Sequence, residues 1–114
     1  MDQQTAGLKS QIFRNFRARM NSQIQEALDI LQEECAEVIV EVSKCRRFGL
    51  DSLHYKTGIR HSTMLEAEIG DVLAMIDILI DQQVINKDAL DDAKTRKRAK
   101  LQEWSNIFSK GNHE

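Results

Sequence analysis

The chain has 114 residues, is 41% hydrophobic and 30% charged, and carries a net charge of −2. That is one domain of ordinary composition, without the overall basic field that draws a protein to nucleic acid. It has no proline and five glycines, which favours long uninterrupted helices. No apolar run reaches the ~18 residues that a membrane-spanning helix needs. The start of the chain, 1–10, is polar and lacks a signal-peptide core, so a cytoplasmic location is expected.

In chain order, Leu8, Ile12, Phe13, Phe16 and Met20 recur at helical spacing and predict a first helix over 8–20. Asn21 and Ser22 then offer a break, with Ser22 and Gln25 in capping-box register. A second helix is expected over 23–48, closed by Gly49 as the residue after its C-cap. Residues 49–62 show no period and read as a loop of about a dozen residues, a length often tied to function in a small bundle. Ser62 and Thr63, with Glu66 following, signal a third helix to about position 83. Asn86 caps a fourth over 87–109, and the tail 110–114 is expected to fray. The expected fold is therefore all-α and four-helix-bundle-like, one domain over 1–114. Cys35 and Cys45 lie about 15 Å apart on one helix, too far for a disulfide, and both read as small core residues. Zinc would need more Cys or His at close spacing.

Two of these helices carry acids at one spacing, Glu34-x-x-Glu37 and Glu68-x-x-Asp71. Residues three apart share a helix face. Each pair borders an apolar stripe: Leu28, Leu31, Cys35, Val38 and Val42 in one helix, and Leu65, Ile69, Val72, Ile76 and Ile80 in the other. Packing by these stripes would gather four carboxylates at one seam. Glu33, Glu34, Glu37 and Glu41 crowd a short stretch with no interleaved cation before Lys44, where a solvated helix face would alternate its signs. Mutual repulsion calls for a cation between them. An all-oxygen donor set selects Mg²⁺, with Mn²⁺ as a substitute, over zinc or iron. Mg²⁺ commonly shares its shell with phosphate oxygens, so the chemistry points to a phosphate ester or anhydride.

The last helix has the stripe Leu90, Ala93, Leu101, Trp104 and Phe108, with Lys97 in its middle and Lys94 on its flank. Lys97 either snorkels to solvent or reaches a phosphate or a carboxylate of the cluster. Trp104 either stacks on a base or fills the core, the core being the expectation. Arg46, Arg47 and Arg60 border the long loop and suit either phosphate or water; His54, Tyr55 and His61 lie in it, and either contact a base or ribose or form plain surface. The basic run Arg96, Lys97, Arg98, Lys100 reads as solvated rather than as a nucleic-acid site, given the net charge.

The string Leu31-Gln-Glu-Glu-Cys-Ala-Glu37, followed by Glu68-Ile-Gly-Asp71-Val, resembles the MazG-like nucleoside triphosphate pyrophosphohydrolases, an all-α family with Glu-Glu-x-x-Glu and then Glu-x-x-Asp. The resemblance extends through Ser43, Lys44, Arg47 and Gly49 into the lysine-bearing last helix, over roughly 22–105; the interval between Glu37 and Glu68 is long for the family. It implies Mg²⁺-dependent cleavage of a nucleoside triphosphate, a dNTP by expectation, to the monophosphate and pyrophosphate, as nucleotide-pool house-cleaning. By motif position it makes Glu34, Glu37, Glu68 and Asp71 metal ligands and gives Glu33 a supporting role. Glu37 or Glu41 would orient the attacking water. Lys44, Arg47, Lys94, Lys97 and Trp104 are the candidates for contact with substrate. It also implies a homodimer or homotetramer, with no nucleic acid or membrane as partner. Two alternatives stand beside it: a phosphoribosyl-ATP pyrophosphohydrolase, and a non-catalytic helical interaction module whose acids are surface.

Overall fold

The computed structural model describes residues 3–108, apart from the side chains of 10–21. Those residues form three helices: α1 (Gln3–Phe48), α2 (His61–Asp81) and α3 (Lys87–Trp104). The fold is all-α, and an isolated antiparallel bridge between Leu53 and Arg60 is the one extended pairing among the described residues. The expected tail at 110–114, and the side chains of Ile12, Phe13, Phe16 and Met20, fall outside what is described.

The first two expected helices are one. Backbone helix runs through Asn21 and Ser22 without a break. A serine in capping register permits a helix start but does not force one. With no proline or glycine near it, continuation keeps every backbone hydrogen bond, whereas a break would release four donors. Arg46 and Arg47 sit in the last turn, where cations suit the helix dipole. Gly49 then ends α1 at φ 101°, its N–H donating to the Cys45 carbonyl at 2.8 Å, as expected of a glycine past the C-cap.

The segment 49–60 is ordered by its own backbone. His54 N–H donates to the Ile59 carbonyl and Gly58 N–H to the His54 carbonyl, both at 2.8 Å, while His54 Nδ1 accepts from the amides of Lys56 and Thr57. This turn also caps α2. The amides of His61 and Ser62 donate to the carbonyls of Ser52 and Leu50, each at 3.0 Å. So α2 begins at His61, one residue before the expected Ser62 cap, and its N-cap Arg60 makes no side-chain bond. Loop carbonyls replace the hydroxyl.

At its other end α2 stops at Asp81 rather than near 83. Gln83 N–H reaches the Ile80 carbonyl and Val84 N–H the Leu79 carbonyl, with Gln83 in the left-handed region at φ 61°; this is the Schellman pattern, with glutamine in the place glycine usually takes. Asn86 caps α3 as expected, its Oδ1 accepting from Ala89 N–H at 3.0 Å. Helix α3 ends at Trp104, five residues early, where Ser105 turns extended.

Helices α1 and α2 pack antiparallel. One end of their seam is the cluster Ala27, Met75 and Leu79, flanked by Ile30, Leu31 and Ile85. The other end holds buried Cys45 and His61, the His61 ring stacked on Phe48 at 5.4 Å. Helix α3 folds back beside α2 but buries none of its residues. An apolar groove is left between them, lined by Leu73, Ile76, Ile80, Leu90 and Ala93, with Lys97 at its far end. The whole is thin and long, 72 × 40 × 19 Å, with a radius of gyration of 21.1 Å. A compact chain of this length has a radius near 13 Å.

Several expected core positions are on the surface of this single chain. Cys35 is exposed, and so are Leu28, Val42, Ile69 and, at 80%, Trp104. The face of α1 that meets α2 instead follows Ala27, Ile30, Leu31, Glu34, Val38, Glu41 and Cys45, so it is turned toward the acids relative to the expected stripe. On α2 the inward line is His61, Met64, Leu65, Glu68, Val72, Met75 and Leu79. Leu31, Val38, Leu65 and Val72 of the expected stripes are on these inward lines, whereas Leu28, Cys35, Val42 and Ile69 belong to a second apolar side that this chain leaves uncovered.

Candidate metal and phosphate site

The acids that were expected at the edge of the seam are in its middle. Glu34 on α1 and Glu68 on α2 are half-buried, between the apolar cluster at Ala27 and the aromatic end at His61. Asp71, three residues on from Glu68 and therefore on its side of α2, is more exposed. One carboxylate oxygen from each of Glu34, Glu68 and Asp71 lies within 4.8 Å of the other two.

The electrostatics follow from that approach. Partial burial first, then the charges of Asp71 and Glu68, push the Glu34 carboxyl above its usual 4.5. Partial burial first, then Asp71, Glu37 and Glu41, push Glu68 up as well. Each carboxyl thus gives up its proton less readily than a free one, and a cation between them would offset that.

Glu37 and Glu41 complete the acidic surroundings without joining the trio. Glu37 is exposed, close enough for its charge to act on Glu68. Glu41 is 4% exposed, with one oxygen 3.5 Å from Lys44 Nζ and the other, Oε2, buried without a hydrogen-bond partner. A buried acceptor left unmet costs about 1–3 kcal/mol. Its burial was not expected from the sequence; the available signal was its position one turn beyond Glu37 and two turns from Glu34 on the inward line of α1. Glu33 is exposed on another side of the helix.

The proposed cations divide. Lys44 is engaged by Glu41. Arg47 lies exposed over the Phe48 ring, its guanidinium carbon 5.1 Å from the centroid. Lys94 pairs with Asp91 at 3.9 Å. Lys94 and Lys97 line the α2–α3 groove together with Leu73 and Ile80. Those two positions fall roughly 180° around α2 from Asp71 at 100° per residue. Within one chain, then, α3 and its cations lie on the far side of α2 from the acids, and exposed Trp104 ends the same helix. The structure brings together Glu34, Glu68 and Asp71, with Glu41 and Lys44 beside them, and does not bring Lys94, Lys97 or Trp104 to them.

Around the loop, His54 stacks on Tyr55 at 5.0 Å and meets His61 edge-on at 5.9 Å. His61 is the first residue of α2 and is buried, so neither expected role, contact with a base or ribose or plain loop surface, holds for it.

Comparison with protein-family models, with curated proteins and with solved structures gave no match. No helix among the described residues is long and apolar enough to cross a membrane.

Proposed function

We propose that the chain is a Mg²⁺-dependent nucleoside triphosphate pyrophosphohydrolase of the MazG-like kind. One observation carries this reading: acids from two motifs remote in sequence converge at Glu34, Glu68 and Asp71, over a buried carboxylate, Glu41, whose Oε2 has no partner. A solvated acidic face has no reason to bury an unmatched oxygen in the middle of a helix seam.

The donor set fits a hard divalent cation, being all carboxylate, with Mn²⁺ as the natural substitute. Glu34, Glu68 and Asp71 would hold it, and Glu37 lies near enough to Glu68 to join. When bound, such a cation neutralises phosphate oxygens and lowers the pKa of a coordinated water. The chain's own part is positioning and proton transfer. Glu37, exposed beside the trio, is placed to accept the proton of the attacking water. Water oxygen forms a bond to phosphorus, the α–β anhydride bond breaks, and the leaving phosphate oxygen keeps the electron pair. Glu41, held by Lys44, lies beside the trio, and Glu33 supports from outside. Arg47, exposed at the end of α1 over the Phe48 ring, is the candidate cation for the polyphosphate tail.

The reading also has the chain working as a homodimer or homotetramer. Its support is the thin shape and the exposed apolar side of α2 and α3, Leu73 at 55% and Trp104 at 80%. A second copy would also be the route by which Lys94, Lys97 and Trp104 come near an acidic trio. The test is pyrophosphate release from a panel of dNTPs, NTPs and phosphoribosyl-ATP, with and without Mg²⁺. Release from dNTPs supports the reading. Turnover of phosphoribosyl-ATP alone moves the chain to the narrower enzyme, and no turnover of any of them supports a non-catalytic module.

A further inference from the structure

Charge along the chain is blocked. Residues 22–43 hold six acids and no Lys or Arg, and residues 61–93 hold eight acids and Lys87 alone. The stretches 44–60 and 94–108 reverse this, each with five cations and one acid, in a chain of net charge −2. Folding brings the two basic stretches to one end. The first is the end of α1 with the loop to α2. The second is the far half of α3. That helix folds back along α2, from Lys87 beside Ile80 to Lys94 and Lys97 beside Leu73, so its last turn points toward the loop.

Both stretches also expose large apolar side chains. In and before the loop these are Phe48, Leu50, Leu53, Ile59 and Tyr55, the last 85% exposed; at the end of α3 they are Trp104, Ile107 and Phe108. Three of the four rings carry a cation. Arg47 lies 5.1 Å from the Phe48 centroid, Lys56 5.6 Å from that of Tyr55 and Arg98 5.5 Å from that of Phe108. The loop presents its share on a backbone ordered by its own hydrogen bonds.

We infer that this end docks on the surface of an anionic lipid bilayer. The mixture of side chains decides the partner. The core of a protein interface is depleted of charge, whereas here cations sit over the apolar rings. Nucleic acid takes cations on its phosphates and rings on its bases, but offers nothing to Leu50, Leu53 and Ile59. A bilayer interface takes all three classes: aliphatic groups enter the acyl boundary, rings lie at the headgroups, and cations meet lipid phosphates. The acidic trio stands back from the contact. Glu68 is its nearest member, about 10 Å behind the loop along α2, past the ~8 Å reach of a charge at physiological salt; of the α2 acids Glu66 alone is nearer. A chain held at the surface needs no membrane-spanning helix, so the expectation of no membrane partner, drawn from the want of an apolar run, does not bear on it.

This is independent of the hydrolase reading, and its test uses neither nucleotide nor divalent cation. The full chain is mixed with vesicles of phosphatidylcholine, with vesicles of equimolar phosphatidylcholine and phosphatidylglycerol, and with duplex DNA. Trp104 is the chain's one tryptophan and is 80% exposed, so its emission reports entry into the interface. Anionic vesicles should carry the chain down on centrifugation and shift that emission to the blue, and neutral vesicles should do neither. Lys56→Glu/Arg98→Glu and Leu53→Ser/Tyr55→Ser should each weaken partition by at least about tenfold. These four side chains are exposed, except that circular dichroism must show the helices intact in each variant for its loss to count. No sedimentation with anionic vesicles overturns the proposal. So does sedimentation that leaves Trp104 emission unmoved, or that both double variants retain. Duplex DNA bound in preference to the vesicles gives this end to nucleic acid and overturns it. An oligomer whose Trp104 emission is already blue-shifted and indifferent to vesicles gives it to a second copy, and overturns it too.

Discussion

Glu34 and Glu68 face each other across the α1–α2 seam, in the place where two packed helices would ordinarily put leucines. Both carboxyls are held above 4.5, chiefly by partial burial and then by neighbouring acids, Asp71 the first of them in each case. The sign of the consequence is definite. A carboxyl whose folded pKa is raised binds its proton more tightly in the native state, so it costs stability once ionised. Without divalent cation, thermal stability should rise as the pH falls from 7 toward 4.5. Asp91 works oppositely, its carboxyl lowered chiefly by the hydrogen bond from Lys87; its contribution fades only below 3.8 and so stays outside that window. Melting curves of the wild type and of Glu34→Gln/Glu68→Gln check this: the variant should lose most of the slope.

Divalent cation should reverse that slope. A ligand that binds only the folded state stabilises it in proportion to its occupancy, and protons compete for the same oxygens. Millimolar Mg²⁺ should raise the melting temperature by several degrees at pH 7.5 and by little at pH 5. Asp71→Asn should remove the rise while leaving the cation-free melting temperature equal to or above that of the wild type. Differential scanning fluorimetry with Mg²⁺, Mn²⁺ and Ca²⁺ measures both.

Glu41 offers a separation of stability from activity. Its Oε2 is buried and unmet, so Glu41→Leu should stabilise the cation-free chain by about 1–2 kcal/mol. Lys44, whose side chain is 33% exposed, can turn to water once its partner is gone. The same variant should lose at least about tenfold in Mg²⁺-dependent pyrophosphate release. Urea denaturation beside the turnover assay reads the two effects in opposite directions.

A prediction independent of the site concerns Gln83, which ends α2 at φ 61°. Left-handed backbone costs a side-chain-bearing residue about 1 kcal/mol relative to glycine, part of it returned by glycine's freer unfolded chain. Gln83→Gly should raise stability by about 0.5 kcal/mol and leave turnover unchanged, as urea melts and the assay would show.

Much of the fold was legible because local signals and packing agreed. The glycine at 49, the asparagine at 86 and the helical periods fixed three of the helix ends closely. The start of α2 was misplaced because carbonyls of Leu50 and Ser52, invisible to any local rule, cap it. The break at Ser22 was misplaced because a capping residue permits an end without requiring one. The acids were found by their repeated spacing, but their depth was not. Reading the strongest apolar stripe as the inner face put Cys35 and Val42 inside and left Glu41 near the surface. For these three the structure has the reverse: Leu31, Val38, Leu65 and Val72 of the expected stripes do face the seam, but Cys35 and Val42, with Leu28 and Ile69, lie on a second, uncovered side. A sequence shows that a helix has two apolar sides more readily than which of them its own chain will cover. For the same reason Lys97 and Trp104 were placed with the acids on chemistry alone, while α3 lies across α2 from them.

The account rests on carboxylates from two helices sharing one ion, and Mn²⁺ binding followed by electron paramagnetic resonance tests that most directly. Wild-type chain should take up Mn²⁺ at pH 7.5 and release it to excess Mg²⁺, with uptake lost in Glu34→Gln and in Asp71→Asn, substitutions on different helices. Equal uptake by the wild type and both variants would contradict it.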